Sequence, residues 1–282
     1  MKIIHDIGEM QAASRAAIVQ GLTIGFVPTM GALHEGHLSL VRHARAHASL
    51  VVVSIFVNPL QFGPAEDFAR YPRTLQSDCA QLEDEGVDLV FAPSAEQMYP
   101  AGATTVVHVQ ELSDRLDGRS RPGHFRGVST VVAKLFHIVQ PDCAVFGQKD
   151  AAQVAVLRRM VRDLNLPIEM IVAPIVREAD GLALSSRNAY LSAGQLRQAL
   201  VLHRSLLRIE SLTAAGETDS ARLRAAALAI LASEPAAQLD YFEIINPDTL
   251  EPVADITHGA LAAVAASFGP TRLIDNLLLP PR

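Results

Sequence analysis

The sequence predicts an α/β protein: a doubly wound, mainly parallel sheet with helices on both faces, followed by a smaller C-terminal α+β domain. Three observations carry this expectation. Over the first two thirds, short apolar β-prone runs alternate with stretches of helical periodicity. The polar, glycine-containing segments follow the ends of those runs, which is where ligands bind in such sheets. After about residue 188 the texture changes to long Ala- and Leu-rich helices and then to strand-like runs.

The elements follow in order. Residues 22–27 form a β-prone run, and 38–48 carry a helical pattern. Residues 50–57, Leu-Val-Val-Val-Ser-Ile-Phe-Val, are a buried strand closed by Asn58-Pro59. Residues 74–85 are helical, with Gly86 placed to end the helix, and 87–91 are a short strand stopping before Pro93. Val128, Val131, Val132, Leu135, Phe136 and Val139 recur at helical spacing, and Pro141 stops that helix. A strand over 143–146, a helix over 151–164 and a strand over 168–173 complete the alternation. Helices over 192–212 and 220–233 come next, then strands over 239–245, 260–267 and 272–279. The division is drawn as 1–185 and 186–282.

Composition bounds the function. A chain of 282 residues, 49% hydrophobic, suits one large domain or two smaller ones. A net charge of -6 argues against general nucleic-acid binding. Arg115, Arg119, Arg121 and Arg126 crowd one stretch, which reads either as a local anion site or as a solvated loop. Cys79 and Cys143 are too far apart in sequence for a zinc knuckle or redox pair, so a reducing, cytoplasmic setting is expected. No signal peptide pattern opens the chain, and no apolar run approaches the roughly 20 residues of a membrane helix, so no membrane partner is expected.

The segment Pro28-Thr29-Met30-Gly31-Ala32-Leu33-His34-Glu35-Gly36-His37 sits between strand and helix. Backbone N–H groups at such a helix start meet phosphate oxygens. Two imidazoles three residues apart read as an anion cradle, a metal pair or a structural helix start. Gly31 and Gly36 favour the cradle, because glycine permits the close approaches it needs. Histidines in place of a P-loop lysine point to nucleotidyl transfer rather than kinase chemistry.

Further motifs lie at the other strand ends: Phe56-Val57-Asn58-Pro59-Leu60-Gln61-Phe62, Phe146-Gly147-Gln148-Lys149-Asp150, and Leu182-Ala183-Leu184-Ser185-Ser186-Arg187-Asn188. With Tyr71-Pro72-Arg73-Thr74, the stretch from Ser120 to Gly127 and Thr271-Arg272-Leu273-Ile274-Asp275-Asn276, they resemble the pantoate–β-alanine ligase family. The resemblance implies a Rossmann-like first domain with a smaller domain closing over it as a lid. It also implies a homodimer, ATP as substrate with Mg2+, and ligation of pantoate to β-alanine through pantoyl adenylate. Catalytic roles fall on His34, His37, Lys149 and Arg187. ATP binding falls on Met30, Gly31, Ala32, Leu33, His34, Glu35, Gly36 and His37, on Gly147, Gln148, Lys149 and Asp150, and on Val176, Leu184, Ser185, Ser186 and Arg187. Gln61 would bind pantoate and β-alanine, and Gln153 pantoate. Pro28, Met30, Phe62, Val131 and Val132 would enclose the gem-dimethyl group. Asp78 would place Mg2+ or the amine; without the family it reads as an exposed helix residue.

The chemistry agrees with the residue types. A carboxylate nucleophile is ionised at neutral pH and needs no base. Catalysis is then positioning and stabilisation of charge on phosphate oxygens. Imidazoles, one ammonium, one guanidinium and two hydroxyls suit that task. One departure stands out: the family commonly has Glu where this chain has Gln148, and Gln is expected to be tolerated. The rivals are an adenylyltransferase acting on a phosphate-bearing acceptor, a silent nucleotide-binding module, and a metal-dependent hydrolase, which lacks a third ligand at usable spacing.

Overall fold

The computed structural model describes residues 1–64, 66 and 68–282. They group into two compact units, one of residues 1–147 and 156–173, the other of 148–155 and 174–282.

The first unit holds six strands: β1 (Lys2–Ile4), β2 (Ile24–Thr29), β3 (Leu50–Ile55), β4 (Leu89–Phe91), β5 (Cys143–Gly147) and β6 (Glu169–Ala173). They pair in the order β1-β4-β3-β2-β5-β6, every pair parallel. The helices up to β6 are α1 (Ile7–Val19), α2 (Glu35–His47), α3 (Leu75–Asp84), two single turns α4 (Ala95–Met98) and α5 (Asp117–Ser120), α6 (His124–Val139) and α7 (Ala151–Asp163).

Successive strand side chains point to opposite faces, so each apolar run feeds two cores. Val27, Val51, Val53, Val90 and Val145 join Leu40, Val41 and Ala44 of α2 and Leu82 of α3 on one face. Phe26 and Phe146 point the other way. Each meets Phe136 of α6 nearly edge-on, at ring separations of 6.3 and 6.5 Å. Strand β2 has β3 on one side and β5 on the other. From β2 the chain winds outward through β3 and β4, and from β5 it winds the opposite way to β6. The loop after β2 therefore opens at the topological switch point, the usual ligand crevice of such sheets.

The doubly wound expectation holds, with local differences. The helix expected from residue 38 starts at Glu35 because His34 caps it. The helix read from residue 128 starts at His124, after Gly123 turns the chain at φ +85°. Strand β1 and helix α1 escaped sequence reading. Three residues carry no period, and α1 buries only Met10, Ser14 and Ala17.

The second unit holds α8 (Ala193–Ala214), α9 (Ser220–Leu231) and an antiparallel sheet ordered β7 (Ala237–Ile245), β8 (Ala260–Phe268), β9 (Thr271–Leu279). Ser192 and Gln195 form a reciprocal capping box at the start of α8. Leu202, Leu206 and Ile209 of α8, Leu223, Ala227 and Leu231 of α9, and Phe242, Val264 and Leu273 of the sheet build one core. Residues 260–266 are all buried, and most of them are alanines, small enough to pack closely against α8. The expected smaller α+β domain is thus present. It also takes in 148–155 and 174–185, which sequence reading put before the boundary. Hydrogen bonds from β9 to these segments, described below, are the reason. Among the described residues, no helix is long and apolar enough to cross a membrane.

Candidate active site

The loop after β2 is held by a carboxylate from another helix. Asp78 of α3 is buried, and its Oδ2 and Oδ1 accept the backbone N–H groups of Ala32 at 3.0 Å and Leu33 at 2.9 Å. Thr74 Oγ1 lies 3.2 Å from both oxygens. The loop needs this hold, because Gly31 sits at φ +80° and Ala32 at φ +52°, where a side chain is disfavoured. A Cβ on Gly31 would lie 2.9 Å from Asp78 Oδ2, so only glycine fits. The reading of Asp78 as an exposed helix residue is therefore corrected. Its two oxygens serve the loop backbone, a commitment that sequence spacing does not reveal. Among the described residues, no group of three or more His, Cys, Asp or Glu is placed to hold a metal ion.

His34 and His37 stand together at the start of α2. His34 Nδ1 accepts Gly36 N–H at 3.1 Å, and His37 Nδ1 accepts His34 N–H at 3.4 Å. The rings lie 4.2 Å apart, tilted by 44°. With both Nδ1 atoms accepting, each neutral ring carries its proton on Nε2, which makes Nε2 the donor. Glu35 of the same turn is engaged elsewhere. Its bidentate hydrogen bonds with Arg42, which also pairs with Glu85, hold its carboxyl below the usual range.

Gln61 comes to the same loop. It is buried, and its Nε2 lies 2.9 Å from Met30 Sδ. Sequence reasoning missed Asn58, which orients it. Asn58 Nδ2 donates to Gln61 Oε1 and to the Gly127 carbonyl, both at 3.1 Å, while its Oδ1 accepts Tyr99 O–H at 2.8 Å. The Asn-Pro pair reads as a strand terminator, which hides the side chain's second task. Gly127 allows the close packing, since a Cβ there would lie 2.2 Å from the Leu60 carbonyl oxygen. Of the proposed gem-dimethyl enclosure, Val131 and Val132 are buried in α6, and Phe62 meets Phe68 at a tilt and Tyr71 edge-on.

A second clamp grips the Gln61 backbone. His124 Nδ1 donates to the Gln61 carbonyl at 2.8 Å, and Arg121 Nη2 reaches it at 3.3 Å. Arg121 also forms a bidentate pair with Glu66, so this arginine is a structural tie rather than the anion site that the arginine cluster suggested. Burial works to raise the Glu66 carboxyl, but the Arg121 pair outweighs it and the net shift is downward. Arg121 Nη1 lies 3.0 Å from His124 Nε2, which must accept because guanidinium only donates. Burial, then the Arg121 charge, push His124 down to about 4, against weaker pulls from the Gln61 carbonyl, Asp117 and Glu66.

That depression predicts an acid-labile fold. Below the ordinary value of 6.5 the unfolded chain takes up a proton that native His124 refuses until about pH 4. The contribution is fully present above pH 6.5 and lost as pH falls towards 4, on the order of 3 kcal/mol by linkage. Urea unfolding at about pH 7 and about pH 4.5 should show a shallower acid loss for His124→Gln than for wild type; equal losses would refute it.

The second unit carries the remaining candidates. Gln148, Lys149 and Asp150 form a single 3-10 turn after β5, and Lys149 Nζ lies 3.7 Å from Asp150 Oδ1. Gln153 is half-buried in the first turn of α7. Val176 and Leu184 pair across a short hairpin, Leu184 N–H donating to the Val176 carbonyl at 3.0 Å. Ser185 Oγ then accepts Arg187 N–H at 3.2 Å, capping the turn Ser186–Tyr190. A small surface depression is lined by Lys149, Ser185, Leu182, Leu202 and Asp275 among others, so two sequence-distant candidates share one surface.

A profile of pantoate-beta-alanine ligases matches residues 2–278. The chain belongs to the pantoate–β-alanine ligase family. Its ligase relatives include a pantothenate synthetase of Koribacter versatilis, 62% identical over 99% of this chain and 96% of that protein. Another, from Heliobacterium modesticaldum, is 56% identical over 99% of both. The crystal structure of pantothenate synthetase from Thermus thermophilus superposes with a TM-score of 0.94 at 48% identity, covering 100% of both chains. A Francisella tularensis pantoate-beta-alanine ligase, complexed with beta-gamma ATP and beta-alanine, gives a TM-score of 0.80 at 35% identity, over 99% of this chain and 97% of that one. The ligase fold thus agrees with the parallel sheet and the small antiparallel domain described here.

Proposed function

We propose that this chain joins pantoate to β-alanine at the expense of ATP, through pantoyl adenylate, releasing AMP and pyrophosphate. The observation that carries the reading is the His34–His37 loop. It sits at the sheet's switch point, with both imidazoles set to donate from Nε2 and Gln61 against Met30.

In the first step a pantoate carboxylate oxygen bonds to the α-phosphorus, and the bond to the bridging oxygen breaks as pyrophosphate leaves. His34 and His37 donate to the phosphate oxygens as charge builds. Lys149 supplies a point charge, Arg187 a planar fork, and Ser185 and Ser186 hydroxyl donors. Gln61 and Gln153 hold pantoate by its hydroxyls and carboxylate, amides being able both to donate and to accept. In the second step the neutral β-alanine amine bonds to the acyl carbon, the bond from that carbon to the phosphate oxygen breaks as AMP leaves, and the proton lost from nitrogen passes to solvent. Substrate phosphates are the usual main ligands of magnesium, so the ion would arrive on the nucleotide, while both Asp78 oxygens already serve the loop backbone. The same reading makes the protein a cytoplasmic homodimer, the assembly being measurable by sedimentation.

Exchange of labelled pyrophosphate into ATP tests the intermediate. It should require pantoate and proceed without β-alanine; exchange that needs the amine would indicate a concerted route and refute the adenylate. Gln61→Ala should raise the KM for pantoate and lower kcat, since a misplaced nucleophile loses attack geometry as well as binding. Calorimetry without pantoate should show ATP affinity unchanged within about twofold, the change that about 0.4 kcal/mol would produce. Collapse of ATP binding with normal pantoate dependence would reassign Gln61.

A further inference from the structure

The two nucleotide-side segments of the second unit hang from adjacent residues of one strand. Asn276 of β9 is buried, 3% exposed. Its Nδ2 donates to the carbonyls of both Gln148 and Lys149, at 2.9 Å each. Its Oδ1 accepts the Gln148 side-chain amide at 3.0 Å. Asp275, also 3% exposed, makes a bidentate pair with Arg177 at 2.7 and 2.8 Å, and its Oδ1 accepts Asn276 N–H at 2.8 Å. Arg177 lies on the Val176 arm of the hairpin and donates to the Gly181 carbonyl at its tip. Residues 148–150 form only a single 3-10 turn, and two of their carbonyls take a further donor from outside it. Asn276 supplies both, and Asp275 fixes Asn276 from behind.

We propose that Asn276 is a positioning residue for the ligation. It fixes the backbone on either side of Lys149 and thereby sets where the ammonium meets the nucleotide phosphates, with the Arg177–Asp275 pair holding the hairpin of Val176, Leu184 and Ser185 to the same strand. The inference rests on the reading of Lys149 as a phosphate contact. It also accounts for Gln148. The amide donates to Asn276 Oδ1, yet the grip on the two carbonyls does not pass through that side chain. Asn276→Ala should therefore lower kcat/KM for ATP about tenfold or more.

A double-mutant cycle tests this on the full-length protein: wild type, Asn276→Ala, Lys149→Ala and the double variant, read as ATP affinity by calorimetry and as KM and kcat for ATP and for pantoate. Asn276→Ala should weaken ATP about tenfold or more and leave the KM for pantoate within about twofold. In the Lys149→Ala background the same change should add less than about twofold, because the group it positions is gone. Asn276→Ser keeps one donor for the carbonyls, should fall between wild type and alanine, and carries the cycle if the alanine variant does not fold. Equal effects of the Asn276 change in both backgrounds would overturn the inference while leaving Lys149 a phosphate contact. A Lys149→Ala protein with undiminished ATP affinity and turnover would overturn the reading of Lys149, and the inference with it.

Discussion

Alanine at His37 should slow pantoyl adenylate formation by roughly 10²–10³, the loss that follows removal of one preorganised donor to developing negative charge. His37 and His34 each accept a backbone N–H at Nδ1, which leaves Nε2 as the donating atom. A donor aimed at charge that grows in the transition state acts on rate, so single-turnover adenylate formation should fall far more than ATP affinity. His34 needs a finer substitution, because its ring supplies the N-cap acceptor of α2 at 3.1 Å, whereas His37 makes only the longer return bond of the capping box at 3.4 Å. His34→Ala removes a cap worth about 1 kcal/mol as well as a donor. His34→Asn keeps a capping oxygen and removes only the outer N–H, so it should melt near the wild-type temperature and still lose adenylate formation. Melting temperature and single-turnover rate measured on the same samples separate the roles. Normal rates in fully folded His34→Asn and His37→Ala would make the pair structural and refute the proposed chemistry.

Replacing Asp78 by asparagine should strike stability and rate together. The amide is nearly isosteric with the carboxylate, but its NH2 cannot accept, so either Ala32 or Leu33 loses its buried acceptor. Loss of charge-assisted bonds and an orphaned donor should cost about 2–4 kcal/mol. Ala32, at φ +52°, is the residue most dependent on that hold, and its relaxation displaces the start of the His34–His37 loop. Adenylate formation should therefore fall more than about tenfold even in fully folded protein, as a displacement costing over about 1.4 kcal/mol produces. Raising magnesium concentration separates this from the metal reading. A lost magnesium ligand is compensated by more metal, whereas a displaced loop is not. Restoration of Asp78→Asn by magnesium, or unfolding free energy equal to wild type, would overturn the positioning role.

Much of the fold was legible because it is written in local periods. The valine run of β3, the spacing along α6 and the glycine after α3 act through nearest neighbours and through burial of one face. A three-residue edge strand such as β1 has no period to read, and it forms because β4 offers it a parallel partner. The boundary between units moved for the same kind of reason. Residues 148–155 and 174–185 look like a continuation of the βα alternation. Yet Arg177 is tied to Asp275, 98 positions away in sequence, and Gln148 to Asn276, 128 positions away.

The sequence by itself determined the strand–glycine–helix geometry of the His34–His37 loop and the inventory of side chains proposed to meet phosphate, because capping, turn chemistry and charge are properties of neighbouring residues. Only the tertiary structure decided what Asp78, Asn58, Arg121 and Asn276 do. Each is a polar side chain whose role is set by the buried backbone group it meets, and a buried N–H or carbonyl binds whichever partner the fold brings within about 3 Å. Sequence spacing does not encode that proximity.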